Sequence, residues 1–193
     1  MKNLAPTISG RDISPDFRPS AIDARIASEV LRHEGTPEAI RCFARLSMPL
    51  TSYGYWHMLS VLWVSYTGYS DLGLWKTLFS SSRKNRETSI MKPSEIAALR
   101  RLPEQITVYR AHRPGETDWI AYTLNPQTAA RFAHERGVSH IRAYVVDRPD
   151  VLALFLRRSE HEILALDKTR PRFVREIEVI VGEIGKSKVR AGE

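Results

Sequence analysis

The spacing of apolar residues divides the chain into a helical first half and a strand-rich second half. Over roughly the first hundred residues, apolar side chains recur every three or four positions, as on the buried face of an α-helix. Thr36 followed by Pro37 is a typical helix start, and Gly35 is a typical helix end. This pattern predicts helices over about residues 22–31, 37–48, 55–64, 71–79 and 93–99.

After Pro103 the pattern changes to short runs rich in β-branched residues. One helix is predicted among them, over about residues 126–136, and Gly137 ends it. The runs predict strands over about residues 106–110, 120–123, 140–146, 163–166 and 177–181, with a further short apolar segment at 151–156. Helices in one half and strands in the other are typical of an α+β protein.

These patterns divide the chain into four segments. Residues 1–20 are rich in proline and small polar residues, which predicts an irregular N-terminal arm. Residues 21–103 form a helical region, residues 104–185 a strand-rich core, and residues 186–193 a basic tail. Because the Trp- and Tyr-rich helices are too apolar to stay exposed, we expect the helical half to pack on the sheet.

The composition is that of a globular protein with a basic surface. Hydrophobic residues make up 42% of the chain and charged residues 26%. The net charge of +7 indicates a surface that attracts acidic proteins, dinucleotides or nucleic acid. Because no zinc, helix-turn-helix or aromatic-strand motif accompanies the basic residues, nucleic acid is not the leading partner.

Cysteine content and hydropathy exclude further classes of protein and of binding site. The single Cys42 excludes an internal disulfide and a cysteine-based zinc site, and the histidines lack metal-ligand spacing, so no metal is expected. No apolar run reaches the ~18 residues of a membrane span. Residues 1–6 lack the apolar core of a secretory signal. We therefore expect a cytoplasmic protein without membrane contact.

Three short motifs in the second half carry the candidate chemistry. Residues 108–110 end a predicted strand in arginine, residues 121–126 contain a hydroxyl residue on the next strand, and residues 159–164 place a Glu-x-Glu pair before an apolar strand. In this order they resemble the NAD-binding core of ADP-ribosyltransferases. The resemblance covers about residues 105–182 and implies a mixed β-sheet core of that type, with NAD as the substrate.

The residue types suit cleavage of the nicotinamide–ribose bond of NAD. That bond breaks with oxocarbenium character, which a nearby carboxylate stabilises. By resemblance, Glu162 matches the catalytic glutamate and Glu160 the position that governs the acceptor, with arginine favoured. Arg110 matches the residue that grips the dinucleotide, which suits the bidentate fit of a guanidinium to phosphate. Thr123 is the only residue left of the family's Ser-Thr-Ser motif, since Tyr122 and Leu124 flank it.

Three more residues are candidates for contact with NAD. His112 lies two positions after Arg110 and shares its face of an extended segment. Tyr122 and Phe132 are candidates for the nicotinamide ring. By the same strand spacing, Glu160 and Glu162 are expected on one face.

Each residue also has a structural interpretation. Arg110 alone fits a surface salt bridge, Thr123 fits a helix cap, and the two glutamates fit an exposed charge network.

The sequence therefore keeps three functions open. The leading one is a mono-ADP-ribosyltransferase that modifies a protein side chain and releases nicotinamide. The second is an NAD glycohydrolase, in which water replaces the acceptor. The third is a non-enzymatic protein of the same fold that binds an acidic partner. Small phage and prophage proteins share this general appearance, which suggests a role in phage–host conflict.

Overall fold

The computed structural model describes residues 12–66, 68, 71–180 and 188–189. The chain forms two compact units, Met1–Leu99 and Arg100–Glu193. The α+β class is confirmed, with helices in the first half and a β-sheet in the second. Whether the helical half packs on the sheet stays a prediction. No helix among the described residues is long and apolar enough to cross a membrane.

The first half is helical, as predicted. Its core lies around the third helix, which is apolar on all sides and buries Trp56 and Leu59 completely. Trp75 and Phe79 of the fourth helix stack on each other and are also buried, so these aromatic residues serve as core. The helices are α1 Ala21–Leu31, α2 Pro37–Leu46, α3 Ser52–Ser65, α4 Leu72–Phe79, α5 Arg86–Ile90 and α6 Pro93–Arg101.

The short helix α5 is absent from the sequence-based prediction. It has only five residues and follows Asn85, whose φ of 58° places it in the left-handed region. A single helical turn cannot display apolar periodicity, and its buried positions are Ser89 and Ile90.

The described part of the N-terminal arm contains no helix or strand, but two aspartates attach it to the helices. Asp12 accepts hydrogen bonds from the backbone N and the hydroxyl of Ser94 at 2.9 and 2.6 Å. Asp16 accepts one from the Asn85 side chain at 2.9 Å. The rest of the predicted arm, residues 1–11, lies outside the described residues.

The second unit is built on a seven-stranded sheet and one α-helix, α7, within the described residues. The strand order across the sheet is β4-β5-β2-β1-β3-β6-β7. The elements in chain order are β1 Gln105–Arg110, β2 Ala121–Thr123, α7 Pro126–Glu135, β3 His140–Asp147, a 3₁₀ turn Arg148–Asp150, β4 Ala153–Phe155, β5 Glu162–Leu164, β6 Arg172–Ile180 and β7 Lys188–Val189.

The expectation of a mixed sheet is wrong, because every pairing between described strands is antiparallel. The connection through α7 explains why. It joins β2 to β3, which run in the same direction, but β1 lies between them and opposes both. The crossover therefore produces no neighbouring parallel pair.

Strand β6 is longer than its apolar residues predict. Its first part is charged, and cross-strand ion pairs replace apolar contacts there: Arg172 reaches Asp147 at 2.7 Å, and Glu176 accepts from Arg142 at 2.8 Å. The predicted basic tail also contributes a short strand, β7, which pairs with the end of β6. The other residues of that tail lie outside the described residues.

Helix α7 packs through small residues on one face of the sheet. Ala129, Ala130 and Ala133 of the helix are fully buried against Ile141 and Ile177 of β3 and β6. Alanines allow the helix to approach the sheet closely. This face of the sheet is called the helix face below.

The contact between α1 and α3 depends on a glycine. Asp23 in the first turn of α1 accepts from the backbone N of Thr51 at 3.0 Å and from its hydroxyl at 2.5 Å. A Cβ on Gly54 would lie 2.2 Å from Asp23 Oδ2. We predict that Gly54→Ala destabilises the protein by about 1–3 kcal/mol in urea unfolding, since this clash outweighs the better helix propensity of alanine.

Gly73→Ala in α4 is the matched control. Its Cβ would meet Asp71 Oδ1 at 3.2 Å, a contact that a small side-chain shift relieves. Both variants gain the same intrinsic helix propensity, so their difference isolates the clash with Asp23. Equal stabilities of the two variants would contradict the assigned role of Gly54.

Candidate functional site

The structure brings the strands of the three motifs side by side in the sheet. Strands β5, β2 and β1 are consecutive neighbours. In their register, Thr123 lies opposite Tyr109 of β1 on one side and opposite Glu162 of β5 on the other. Residues paired in this way project from the same face, with Cβ atoms ~5 Å apart. Tyr109, Thr123 and Glu162 thus form one row, which we call the Glu162 row.

The Glu162 row lies on the helix face of the sheet. Tyr109 packs against the cluster of alanines that α7 buries, and its row partners therefore face the same side. Glu162 itself is partly buried at the start of β5.

Thr123 holds the segment before β5 in place. Its side chain is buried, and its hydroxyl donates to the backbone carbonyl of Glu160. The same oxygen accepts from the backbone N of Asn125 at 3.0 Å. Asn125 rather than Thr123 caps α7, by accepting from the backbone N of Gln127. The hydroxyl of Thr123 therefore connects the second and third motifs.

Glu160 does not continue strand β5, so strand spacing is not what brings the two glutamates to the same face of the sheet. The strand begins at Glu162, and His161 before it has a φ of 46°, in the left-handed region. This turn directs Glu160 toward α7, where its Oε1 lies 3.4 Å from Nη2 of Arg131. Glu160 is therefore adjacent to the Glu162 row but held by a guanidinium.

Arg110 projects from the opposite face of the sheet. It follows Tyr109 in β1, and side chains of successive strand residues alternate between faces. Its guanidinium is bound in a fork by Glu116, with Nη2–Oε1 and Nε–Oε2 distances of 2.6 and 3.1 Å. Its Nη1 donates to the carbonyl of Ala121 in β2 at 2.6 Å. The side chain is only 11% exposed, so Arg110 is part of the interior and not a surface salt bridge.

Glu116 is the centre of a partly buried polar network. His112 Nδ1 lies 2.9 Å from Glu116 Oε2, and His112 Nε2 lies 2.8 Å from the hydroxyl of Tyr144. Because an ionised carboxylate only accepts, Nδ1 of His112 carries the hydrogen. Arg110, His112, Glu116 and Tyr144 are called the Glu116 network below.

The charges in the Glu116 network keep its carboxylate ionised. Burial alone raises the pKa of the Glu116 carboxyl. The hydrogen bonds from His112 and Arg110 and the positive charge of Arg110 outweigh burial and hold that pKa at about 2.

Tyr122 and Trp119 lie beside this network. Trp119 Nε1 donates to the Tyr122 hydroxyl at 2.7 Å, and its ring meets His112 edge-on at 4.3 Å. Tyr122 is buried, and this burial raises its pKa to about 12, so its hydroxyl stays protonated. Tyr122 therefore belongs with Arg110 and His112 and not with the Glu162 row.

Phe132 lies on α7, on the helix face. The guanidinium groups of Arg131 and Arg136 lie 4.9 and 5.2 Å from its ring. Its ring is thus in contact with two cations and packs partly against the alanine cluster.

The predicted site residues therefore divide between two places. Thr123, Glu160 and Glu162 come together on the helix face. Arg110, His112 and Tyr122 come together on the other face. Among the described residues, no three His, Cys, Asp or Glu side chains converge as metal ligands.

Sequence reasoning missed Glu116 and Tyr144. Glu116 lies in a polar loop with a Pro-Gly turn, and nothing in such a loop distinguishes a buried acid from an exposed one. The available signal was the pair of potential partners, Arg110 and His112, within six residues of it. Tyr144 is hidden in a strand in which an aromatic residue is expected for packing alone.

Comparison with protein-family models, with curated proteins and with solved structures finds no match.

The lowered pKa of Glu116 makes a prediction about acid stability. A carboxyl whose pKa is lower in the folded protein stabilises it above the unfolded pKa, and this stabilisation is lost as the pH falls. For Glu116 the window runs from 4.5 to about 2, and the shift corresponds to about 3 kcal/mol. We predict that Glu116→Gln is less stable at pH 7 and loses less stability than the wild type between pH 4.5 and 2.

Urea unfolding at a series of pH values measures this effect. Glu176→Gln is the control, because Glu176 also pairs with an arginine but is 47% exposed, and such surface pairs contribute ~0–1 kcal/mol. The assignment fails if the pH slopes of wild type and Glu116→Gln coincide.

Proposed function

We propose that this protein is a mono-ADP-ribosyltransferase that uses NAD as its substrate and modifies a protein side chain. The observation that carries the proposal is the position of the three motifs on neighbouring strands, with Thr123 directly opposite Glu162. Residues of the second and third motifs, far apart in the chain, thus meet across neighbouring strands, which supports the resemblance to ADP-ribosyltransferases. An acidic protein is the acceptor best suited to the net charge of +7.

Glu162 is the proposed catalytic residue. When the bond between ribose C1′ and the nicotinamide nitrogen breaks, its electron pair leaves with nicotinamide and the ribose becomes cationic. A partly buried carboxylate beside the ribose stabilises this charge more than water does. Thr123 acts as a positioning residue, because its hydroxyl fixes the backbone at Glu160, two residues before Glu162.

Arg110 enters the proposal in a different role from the one expected of its motif. Three of its five N–H donors are already used by Glu116 and by the Ala121 carbonyl, and it projects from the face opposite Glu162. We therefore assign Arg110 to positioning: it fixes β2 beside β1, so that Thr123 is presented to Glu162. His112 and Tyr122 support the same face and are not proposed to touch the nicotinamide.

Glu160 is proposed to receive the acceptor. Its carboxylate already binds one guanidinium, that of Arg131, at 3.4 Å. An arginine side chain of a protein acceptor presents the same group, and Glu160 would take its proton as the new bond to C1′ forms. This contact supports arginine as the modified residue.

The same contact makes NAD glycohydrolase the second candidate. While Arg131 occupies Glu160, an incoming guanidine must displace it, and water is the competing acceptor. Either reaction uses NAD, which suggests a cytoplasmic protein. An enzyme that modifies or depletes host components also suits a phage-encoded role.

We predict that Glu162→Gln reduces NAD cleavage by about 10²–10³-fold without changing the thermal unfolding temperature. Glutamine has nearly the same shape as glutamate but no full negative charge for the oxocarbenium ion. Release of nicotinamide from purified protein measures the effect. Glu178→Gln, an exposed strand glutamate on β6, is the control. Equal turnover by wild type and Glu162→Gln would remove Glu162 from the catalytic role.

We predict that Glu160→Gln separates transfer from hydrolysis. Transfer of ADP-ribose to a small guanidine acceptor should fall by about 10²–10⁴-fold, since the base for that step is lost, while NAD hydrolysis continues. Free ADP-ribose and acceptor-linked label are measured in parallel. If both activities fall together, Glu160 belongs to the bond-breaking machinery. If neither falls, arginine specificity loses its support.

A further inference from the structure

A cavity of about 550 Å³ lies at the end of β1, between the loop that follows it and the turn from α7 into β3. Arg142 and Glu176 line it, and both are in register with Arg110 across the sheet. Paired residues share a face, so the cavity opens on the face opposite the helix face. It is therefore separate from the Glu162 row.

Two guanidinium groups and two histidine rings contribute to the cavity wall. Arg113 lines it from the loop after β1, and Arg142 and His140 line it from β3. Arg110 stands directly behind, hydrogen-bonded to the wall residue Glu116. A cavity of this size holds a small molecule, and guanidinium groups select phosphate or carboxylate groups.

The carboxylates of the wall are already neutralised. Glu116 is bound by Arg110 and His112 at 2.6–3.1 Å, and Glu176 is bound by Arg142 at 2.8 Å. Arg113 reaches Glu116 only at 3.9 Å, and its side chain is 55% exposed. Its guanidinium therefore keeps most of its donors for a ligand.

Arg136, like Arg113, is a cation without a close carboxylate partner among the described residues. It reaches from the end of α7 to the carbonyl of Ala111, next to the cavity, and among the described residues no carboxylate forms an ion pair with it. Burial, together with the charges of Arg110 and Arg113, lowers its pKa to about 10. The positive charges thus crowd together, and a bound anion relieves their repulsion.

Two exposed acids near the cavity, Glu135 and Glu178, do not cancel this excess of positive charge. Glu135 is exposed and lies 3.9 Å from Arg131, on the far side of α7 from the sheet. Glu178 is in register with His140 on β6 and exposed. Both are solvated, so their effect on the cavity is screened.

We propose that this cavity is a binding site for a phosphate-bearing small ligand, held by Arg113 and Arg142 with His140 beside them. Trp119 forms another part of the wall, and its hydrogen bond to Tyr122 holds the indole in place. A flat, fixed aromatic ring next to a cationic cluster suits a nucleotide, whose phosphate and base require these two features. The site does not depend on the proposed transferase function.

Calorimetric titration with inorganic phosphate, pyrophosphate, AMP and adenosine tests the proposal. We expect saturable binding of the three phosphate compounds and none of adenosine. Arg113→Gln and Arg142→Gln should each weaken phosphate binding about tenfold or more, the usual loss for one charge-assisted hydrogen bond. AMP binding tighter than phosphate identifies a nucleotide site, and equal binding identifies a site for the phosphate group alone.

Arg172→Gln is the matched control. Arg172 is also a strand arginine in a cross-strand ion pair, with 51% exposure against 48% for Arg142, but it does not line the cavity. The proposal is overturned if phosphate and pyrophosphate show no saturable binding. It is also overturned if Arg172→Gln weakens binding as much as Arg142→Gln. If the Glu162→Gln variant still binds phosphate, the outcome of this binding test does not depend on the outcome of the transferase test.

Discussion

The partly buried carboxylate of Glu116 is the constraint on which the sheet around the candidate sites depends. Two cationic or hydrogen-bonding partners, Arg110 and His112, bind it, and the first of these also donates to the backbone of β2. A buried carboxylate without such partners is costly, and buried guanidinium groups are equally so. The three residues therefore keep one another in place. Through them, the loop after β1 is folded back onto the sheet and β2 is fixed beside β1.

This constraint explains why the three motifs do not form a single cluster. Side chains alternate along a strand, so Arg110 and the neighbouring Tyr109 must project from opposite faces. Once Glu116 holds Arg110 on one face, the row of Tyr109, Thr123 and Glu162 is on the other. The chain thus presents the Glu162 row on the helix face and the cavity lined by Arg113 and Arg142 on the opposite face.

The sequence predicted the element types well, because apolar spacing reports burial directly. The helices, α7 and the β-strands near Val108 and Ile141 follow from this signal. It fails where charge replaces apolar contact, as in the first part of β6, and where one helical turn is too short to show a period, as in α5. The spacing of apolar residues also does not show which strands pair with each other. The position of β1 between β2 and β3 depends on contacts between residues far apart in the chain, and it makes the sheet antiparallel.

The sequence predicted which strands carry the candidate site better than it predicted the contacts of their side chains. Thr123 and Glu162 are paired because their strands are neighbours, which the order of the motifs implied. The partner of Glu160 was not predictable, since the left-handed turn at His161 redirects the chain and brings Arg131 from a distant helix. Loop acids such as Glu116 are similarly hidden, because a polar loop looks the same whether its carboxylate is solvated or buried.

Strand β2 connects the two faces over only three residues. At one end its backbone accepts from Arg110, and at the other end the hydroxyl of Thr123 holds the carbonyl of Glu160. Its backbone also pairs with β1 at Thr123 and with β5 along all three residues. Through Arg110, the carboxylate of Glu116 that lines the cavity on the opposite face thus adds one more bond to the strand that carries Thr123.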